Sequence, residues 1–228
     1  MKIGGVTPLS LVDYPGKPAI VIFTSGCNLR CPFCHNGGLV LGNEGIDEGE
    51  VFDLLMSRIG KIDGVCITGG EPTIYDDLDE FVERIRALGF GVKLDTNGSR
   101  PKMLERLLAR GLLDYVAIDI KSSPAGYAEA TGGKLDFAVV AETVAEVKRA
   151  KVPYELRTTA VPGIVELEDI AIIAETLGPV EHFVLQQFRP QKTLDPCFGE
   201  KGVHPKAWFI QAKAILQAGV EEVTLRGI

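Results

Sequence analysis

Short apolar or alternating runs, separated by amphipathic stretches of helical period, constrain this chain more than any other feature. The runs at 18–24, 64–68, 91–96, 115–120, 154–160, 182–188 and 221–226 predict strands. The stretches at 47–60, 76–88, 100–110, 137–150, 166–177 and 205–218 carry apolar residues at i, i+3 and i+4, as in Leu78, Phe81, Val82 and Ile85, and predict helices. Ser99 is the expected N-cap of the 100–110 helix, and Gly89, Gly111, Gly178 and Gly219 are the expected stops of four of the helices. Strands that alternate with helices pair in parallel through right-handed crossovers, and six such units are two short of a closed eightfold barrel. The expectation is one α/β domain over residues 1–228, a partial (β/α)6 barrel of the TIM type. The segment before the first core strand, with a turn at Tyr14-Pro15-Gly16, is expected to add a short antiparallel β element. An open doubly wound sheet uses the same unit and is the alternative; both folds bind ligands at the C-terminal ends of the strands.

On that face, directly after the first predicted strand, lies SGCNLRCPFCHN, which puts Cys27, Cys31 and Cys34 within eight residues. Five cysteines make an odd number for a disulfide framework, and in a reducing compartment such a cluster points to metal. A structural zinc needs four protein ligands. His35 follows Cys34 too closely to serve easily as the fourth, while Cys66, His182 and His204 are remote in sequence and take no assigned role. A four-iron cluster held by three thiolates leaves one iron open to a substrate or cofactor. Cys66 reads as a small core residue and Cys197 as a free loop thiol.

Other functions are disfavoured by composition. The net charge is −7 and no Lys/Arg cluster exceeds two, so no nucleic-acid partner is expected. No run approaches the ~18 apolar residues of a membrane span, and the N-terminus lacks the basic and apolar regions of a signal peptide, so the expected location is the cytoplasm.

Three further motifs fall at predicted strand ends. Gly69-Gly70-Glu71-Pro72 follows the second strand, Asp95-Thr96-Asn97-Gly98 closes the third, and Asp119-Ile120-Lys121 closes the fourth. Asp119 and Lys121 share a strand face, and pairing with each other is a sufficient structural reason for both. Arg157, inward on the fifth strand, has a comparable structural account in pairing with Glu155 or Asp119.

The three-then-two cysteine spacing, with Phe33 just before the last cysteine, resembles the signature of the radical S-adenosylmethionine superfamily. The longer segment VDYPGKPAIVIFTSGCNLRCPFCHN is similar to the N-terminal region of glycyl-radical-enzyme activases, particularly that of anaerobic ribonucleoside-triphosphate reductase and less closely that of pyruvate formate-lyase. The resemblance implies a [4Fe-4S] cluster on Cys27, Cys31 and Cys34, with S-adenosylmethionine on the open iron. One electron then cleaves the sulfonium to a 5′-deoxyadenosyl radical. It further implies that Phe33, Gly69, Gly70, Glu71, Asp95, Asn97, Lys121 and Arg157 contact the cofactor, and that Asp95, Thr96 and Asp119 surround a monovalent cation. The implied partners are a glycyl radical enzyme, first of all anaerobic ribonucleotide reductase, and an electron donor such as flavodoxin or ferredoxin. Gln186, Gln187 and Phe188 depart from the histidine motif of the formate-lyase activases, and the extra cysteines of the glycerol-dehydratase kind do not occur. The rivals are a radical enzyme acting on another peptide or small molecule and, outside catalysis, an iron–sulfur or zinc binding module.

Overall fold

The computed structural model of the protein describes residues 1–42 and 45–228. Its strands are β1 (Ile3–Ser10), β2 (Ala19–Thr24), β3 (Gly64–Gly69), β4 (Gly91–Thr96), β5 (Tyr115–Asp119), β6 (Tyr154–Ala160), β7 (Val180–Gln187) and β8 (Val220–Arg226). The helices are α1 (Gly37–Val40), α2 (Glu48–Ser57), α3 (Leu78–Ala87), α4 (Pro101–Ala109), α5 (Tyr127–Ala130), α6 (Phe137–Ala150), α7 (Leu167–Leu177) and α8 (Lys206–Leu216). Every predicted strand and helix is present to within a few residues at its ends.

The eight strands form one sheet in chain order, with β1 antiparallel to β2 and each later pair parallel. A doubly wound sheet reverses its strand order at a switch point, and this sheet does not. The six units that begin at β2 to β7 make the partial barrel, and the run at 221–226 adds β8 as a further parallel strand. Side chains reach across intervening strands: Arg157 of β6 bonds Asp95 of β4, and Arg226 of β8 bonds Glu155 of β6. Such contacts follow when the sheet curls and its inner face closes on itself.

Between sheet and helices, Ile20, Ile22, Val65, Ile67, Val92 and Leu94 from the strands meet Leu55, Leu78, Val82, Ile85 and Leu104 from the helices, all essentially inaccessible. The barrel interior is by contrast charged. Gly89 and Gly111 follow α3 and α4 with φ of 89° and 62°, the left-handed conformation that ends a helix at little cost only for glycine. The cap expected at Ser99 is not made. Arg100 occupies the N-cap position of α4, and the Ser99 hydroxyl instead accepts from Asn28 Nδ2 at 2.8 Å, tying the helix start to the cysteine loop. No helix among the described residues is long and apolar enough to cross a membrane.

Candidate active site

The loops after β2, β3, β4 and β5 converge on a cavity of about 330 Å³ at the C-terminal ends of the strands. Cys27, Cys31, Phe33, Cys34, Gly69, Gly70, Glu71, Asp95, Thr96, Asn97, Asp119, Lys121 and Arg157 all line it. Residues spread over more than half the chain therefore share one concave wall.

The cysteine loop is held from three directions. Gly26 accepts the backbone N–H of Glu71 at 2.9 Å, Thr131 accepts that of Arg30 at 3.2 Å, and Pro32 and Cys34 accept those of Asp195 and Leu194, each at 2.9 Å. Gly69 and Gly70 are required for this fit. Gly69 has φ of 116°, and a Cβ there would lie 2.4 Å from the backbone nitrogen of Thr24. A Cβ on Gly70 would lie 1.9 Å from the carbonyl oxygen of Gly26. The two glycines thus let the β3 turn press against the cysteine loop, a structural demand that composition alone does not reveal.

Glu71 is buried, and its carboxylate organises the rim. Oε1 accepts from both the backbone and the hydroxyl of Thr73 and from Thr96 Oγ1 at 2.7 Å, while Oε2 accepts the backbone N–H of Asn97 at 2.7 Å. Burial pushes its pKa up, and these donors pull against that shift. Asn97 in turn points Nδ2 at Cys27 Sγ, 3.9 Å away, and at Asn28 Oδ1 at 3.1 Å; the backbone N–H of Leu29 also faces Cys27 Sγ at 3.4 Å.

All three loop cysteines are free thiols. Burial pushes Cys31 up to about 11 and raises Cys27, with the charge of Lys121 opposing the shift at both. Among the described residues, no three His, Cys, Asp or Glu side chains converge closely enough to hold a single metal ion. His35 is engaged elsewhere, its Nε2 against the carbonyl of Arg189 and its ring stacked on Phe188. Three soft donors on one wall and N–H groups aimed at Cys27 Sγ fit a [4Fe-4S] cluster with one open iron.

Opposite the cysteines is a buried ionic network. Arg157 donates from Nε to Asp119 Oδ1 and from Nη1 to Asp95 Oδ2, each at 2.9 Å. Lys121 Nζ donates to Asp119 Oδ2 at 2.8 Å, and Lys93 Nζ to Asp95 Oδ1. Burial alone would raise both carboxyls, but Arg157 with Lys93 holds Asp95 below its usual range, and Arg157 with Lys121 holds Asp119 well below. The pairings weighed from sequence as structural reasons for Asp119, Lys121 and Arg157 are thus present, with Asp95 as the second partner of Arg157. Glu155 lies 3.9 Å from Arg157.

Sequence reasoning passed over Lys93 and Arg226 and gave Glu155 only a supporting part. Lys93 did leave a signal, since it stands two residues before Asp95 and so shares its inward face. Cys66 is fully buried, Cys197 is exposed, and His204 stacks on Trp208, with ring centroids 4.0 Å apart.

Residues 21–177 match the model of the Radical SAM superfamily. The chain is 34% identical to the "Putative glycyl-radical enzyme activating enzyme" of Methanocaldococcus jannaschii, over 99% of this chain and 96% of that one. It is 31% identical to the "Probable GTP 3',8-cyclase" of Thermococcus kodakarensis, over 86% of this chain and 66% of that one. In fold it is similar to Streptococcus suis SuiB bound to S-adenosylmethionine, with a TM-score of 0.68 at 15% identity over 91% of this chain and 50% of that one. A domain of pyruvate-formate lyase-activating enzyme from Bacteroides vulgatus gives a TM-score of 0.57 at 18% identity, over 72% of this chain and 99% of the domain. Cysteine spacing, curled parallel sheet and family match agree: the chain is an enzyme of the radical SAM superfamily, whose members work with a [4Fe-4S] cluster and S-adenosylmethionine.

Proposed function

We propose that this protein is a glycyl-radical-enzyme activase and that its partner is an anaerobic ribonucleoside-triphosphate reductase. The observation that carries the activase reading is the match to the M. jannaschii activating protein along 96% of that protein's length. The choice of reductase over a formate-lyase partner rests on the segment VDYPGKPAIVIFTSGCNLRCPFCHN.

When bound, the cluster and S-adenosylmethionine supply a 5′-deoxyadenosyl radical at the cost of one electron, which flavodoxin or ferredoxin would deliver. The chain's own residues bind and orient. Cys27, Cys31 and Cys34 hold three irons, and Lys121 neutralises the cofactor carboxylate. Gly69 and Gly70 present bare backbone beside the cysteine loop, with Phe33 and Asn97 alongside. Glu71 sets the position of Asn97, and Arg157 fixes Asp95 and Asp119. Five free thiols fit a reducing compartment, which supports a cytoplasmic location. Asp95, Thr96 and Asp119, where the resemblance adds a monovalent cation, face the same cavity, and their side-chain oxygens also hydrogen-bond within the chain.

The similarity to the T. kodakarensis cyclase favours a second reading, a radical enzyme acting on a nucleotide. One experiment separates the two. The reduced protein and S-adenosylmethionine, mixed with candidate glycyl enzymes, should give an electron paramagnetic resonance doublet in the correct partner, and the splitting should collapse when the glycine Cα is deuterated. If the partners stay silent while GTP or another small molecule drives deoxyadenosine formation, the second reading replaces the first.

A further inference from the structure

We propose that Arg30 is a positioning residue for the iron–sulfur cluster: its guanidinium clasps the loop between Cys27 and Cys31 and sets that loop in shape before any metal binds. The inference rests on the assignment of the cluster to the three cysteines and not on the identity of the partner.

The two gaps in the cysteine motif are closed by different means. Across the shorter gap the backbone turns on itself, the N–H of Cys34 donating to the carbonyl of Cys31 at 3.1 Å. Across the longer gap, Asn28-Leu29-Arg30, no backbone hydrogen bond joins residues 27–31 to one another among the described residues. The side chain of Arg30 makes the closure instead. Its Nη1 donates to the carbonyls of Cys27 and Leu29, each at 2.7 Å. One nitrogen with two hydrogens thus meets two acceptors, and both bonds are charge-assisted. Arg30 is the residue before Cys31, so its bond to the Cys27 carbonyl ties one ligand residue to the chain entering the next.

The backbone of Arg30 is itself fixed from outside the loop. Thr131, just past α5, accepts its N–H at 3.2 Å, and Gly132 packs so closely that a Cβ there would lie 2.6 Å from the Arg30 carbonyl oxygen. The clasp is therefore anchored to a neighbouring wall of the barrel. Arg30 is nevertheless exposed, and its side chain adds no buried surface to the core. Holding a long exposed side chain in one geometry costs rotamer entropy, which the two carbonyl bonds offset here. A loop ordered only by metal would meet its ordering entropy at the moment of binding, whereas a clasped loop has met it on folding. Arginine suits the task because its planar fork loses less entropy per hydrogen bond than a lysine does.

The test starts from the metal-free protein, in which the clasp should already be closed. In nitrogen-15 spectra of the wild type, the Arg30 guanidinium, assigned by its absence from Arg30→Lys, should rotate slowly and protect its Nη hydrogens from exchange. A second arm loads each protein anaerobically with iron and sulfide and follows iron release to bathophenanthroline disulfonate without S-adenosylmethionine. Arg30→Met should release iron about tenfold faster than the wild type, as expected for a residue that orients a metal ligand. Its metal-free melting temperature should stay within about 2 °C of the wild type, because the side chain is exposed. Arg30→Lys, which keeps the charge and donors without the fork, should release iron at a rate between the two. A freely rotating guanidinium in the metal-free wild type overturns the proposal, and this arm stands even if Arg30→Met does not fold. Iron release from Arg30→Met at the wild-type rate also overturns it, as does a larger fall in metal-free melting temperature, which would make Arg30 a general stabiliser. A wild type that assembles no four-iron cluster overturns the cluster assignment, and the role of the clasp with it; the spectra need no metal, so the two failures are told apart.

Discussion

Glu71 Oε2 accepts the backbone N–H of Asn97 at 2.7 Å, and this bond ties the turn after β3 to the turn after β4 beside the cysteine loop. Because Glu71 is turned toward protein donors, its effect on chemistry passes through Asn97 and Thr96. Glu71→Gln puts an N–H where an acceptor is needed and leaves a buried donor unpaired, a cost of about 1–3 kcal/mol. The expected outcome is a lower melting temperature and a raised KM for S-adenosylmethionine with iron content retained. An unchanged KM would return Glu71 to a purely structural role.

Gly70 faces the carbonyl of Gly26 with no room for a side chain. Gly70→Ala forces two backbone segments apart and should destabilise the protein by about 3 kcal/mol, at the upper end of the usual overpacking range. Thermal unfolding of the metal-free protein checks this, and Gly5→Ala, with open space around its Cβ position, serves as the tolerated control.

Asp95 and Asp119 both have pKa values depressed in the fold, mainly because Arg157 outweighs the effect of burial. Groups of this kind contribute stability that is complete above their unfolded pKa, about 3.8, and is lost as pH falls through their lower folded values. Arg157→Leu removes the shared partner and leaves Asp95 to Lys93 and Asp119 to Lys121, so acid unfolding should begin at higher pH, and neutral stability should fall by about 1–3 kcal/mol as one oxygen of each carboxylate loses its donor. Acid titration followed by circular dichroism measures both, and coincident curves for variant and wild type would refute the shared-partner role.

Lys121 Nζ lines the cavity while bonded to Asp119. Lys121→Ala should weaken S-adenosylmethionine binding by the ~1.5–3 kcal/mol of a hydrogen bond to a charged group, with cluster content unchanged. Unaltered affinity in equilibrium dialysis would leave Lys121 as the partner of Asp119 and nothing more.

Much of this was legible in the chain because strand and helix periods differ and each motif sits at a strand end. Cys27, Gly70, Asp95 and Lys121 could be assigned to one rim from topology alone. Ser99 was misread because a cap is a local rule, and here the hydroxyl found a partner, Asn28, from a distant loop. The Lys93–Glu155–Arg226 part of the network escaped for a different reason. Alternation tells which face of a strand a residue occupies, but not which strand lies opposite once the sheet has curled.

The central claim is that Cys27, Cys31 and Cys34 carry a four-iron cluster that cleaves S-adenosylmethionine. The most direct measurement is anaerobic reconstitution with iron and sulfide, reduction, and quantitation of 5′-deoxyadenosine and methionine in the wild type, Cys31→Ala and Cys197→Ala. The account predicts a coloured protein forming both products in equal amounts, their loss in Cys31→Ala, and their retention in Cys197→Ala, whose thiol is exposed and lies outside the cavity lining. A colourless wild type that binds zinc and yields no deoxyadenosine, or a Cys197→Ala variant as depleted of iron as Cys31→Ala, would contradict it.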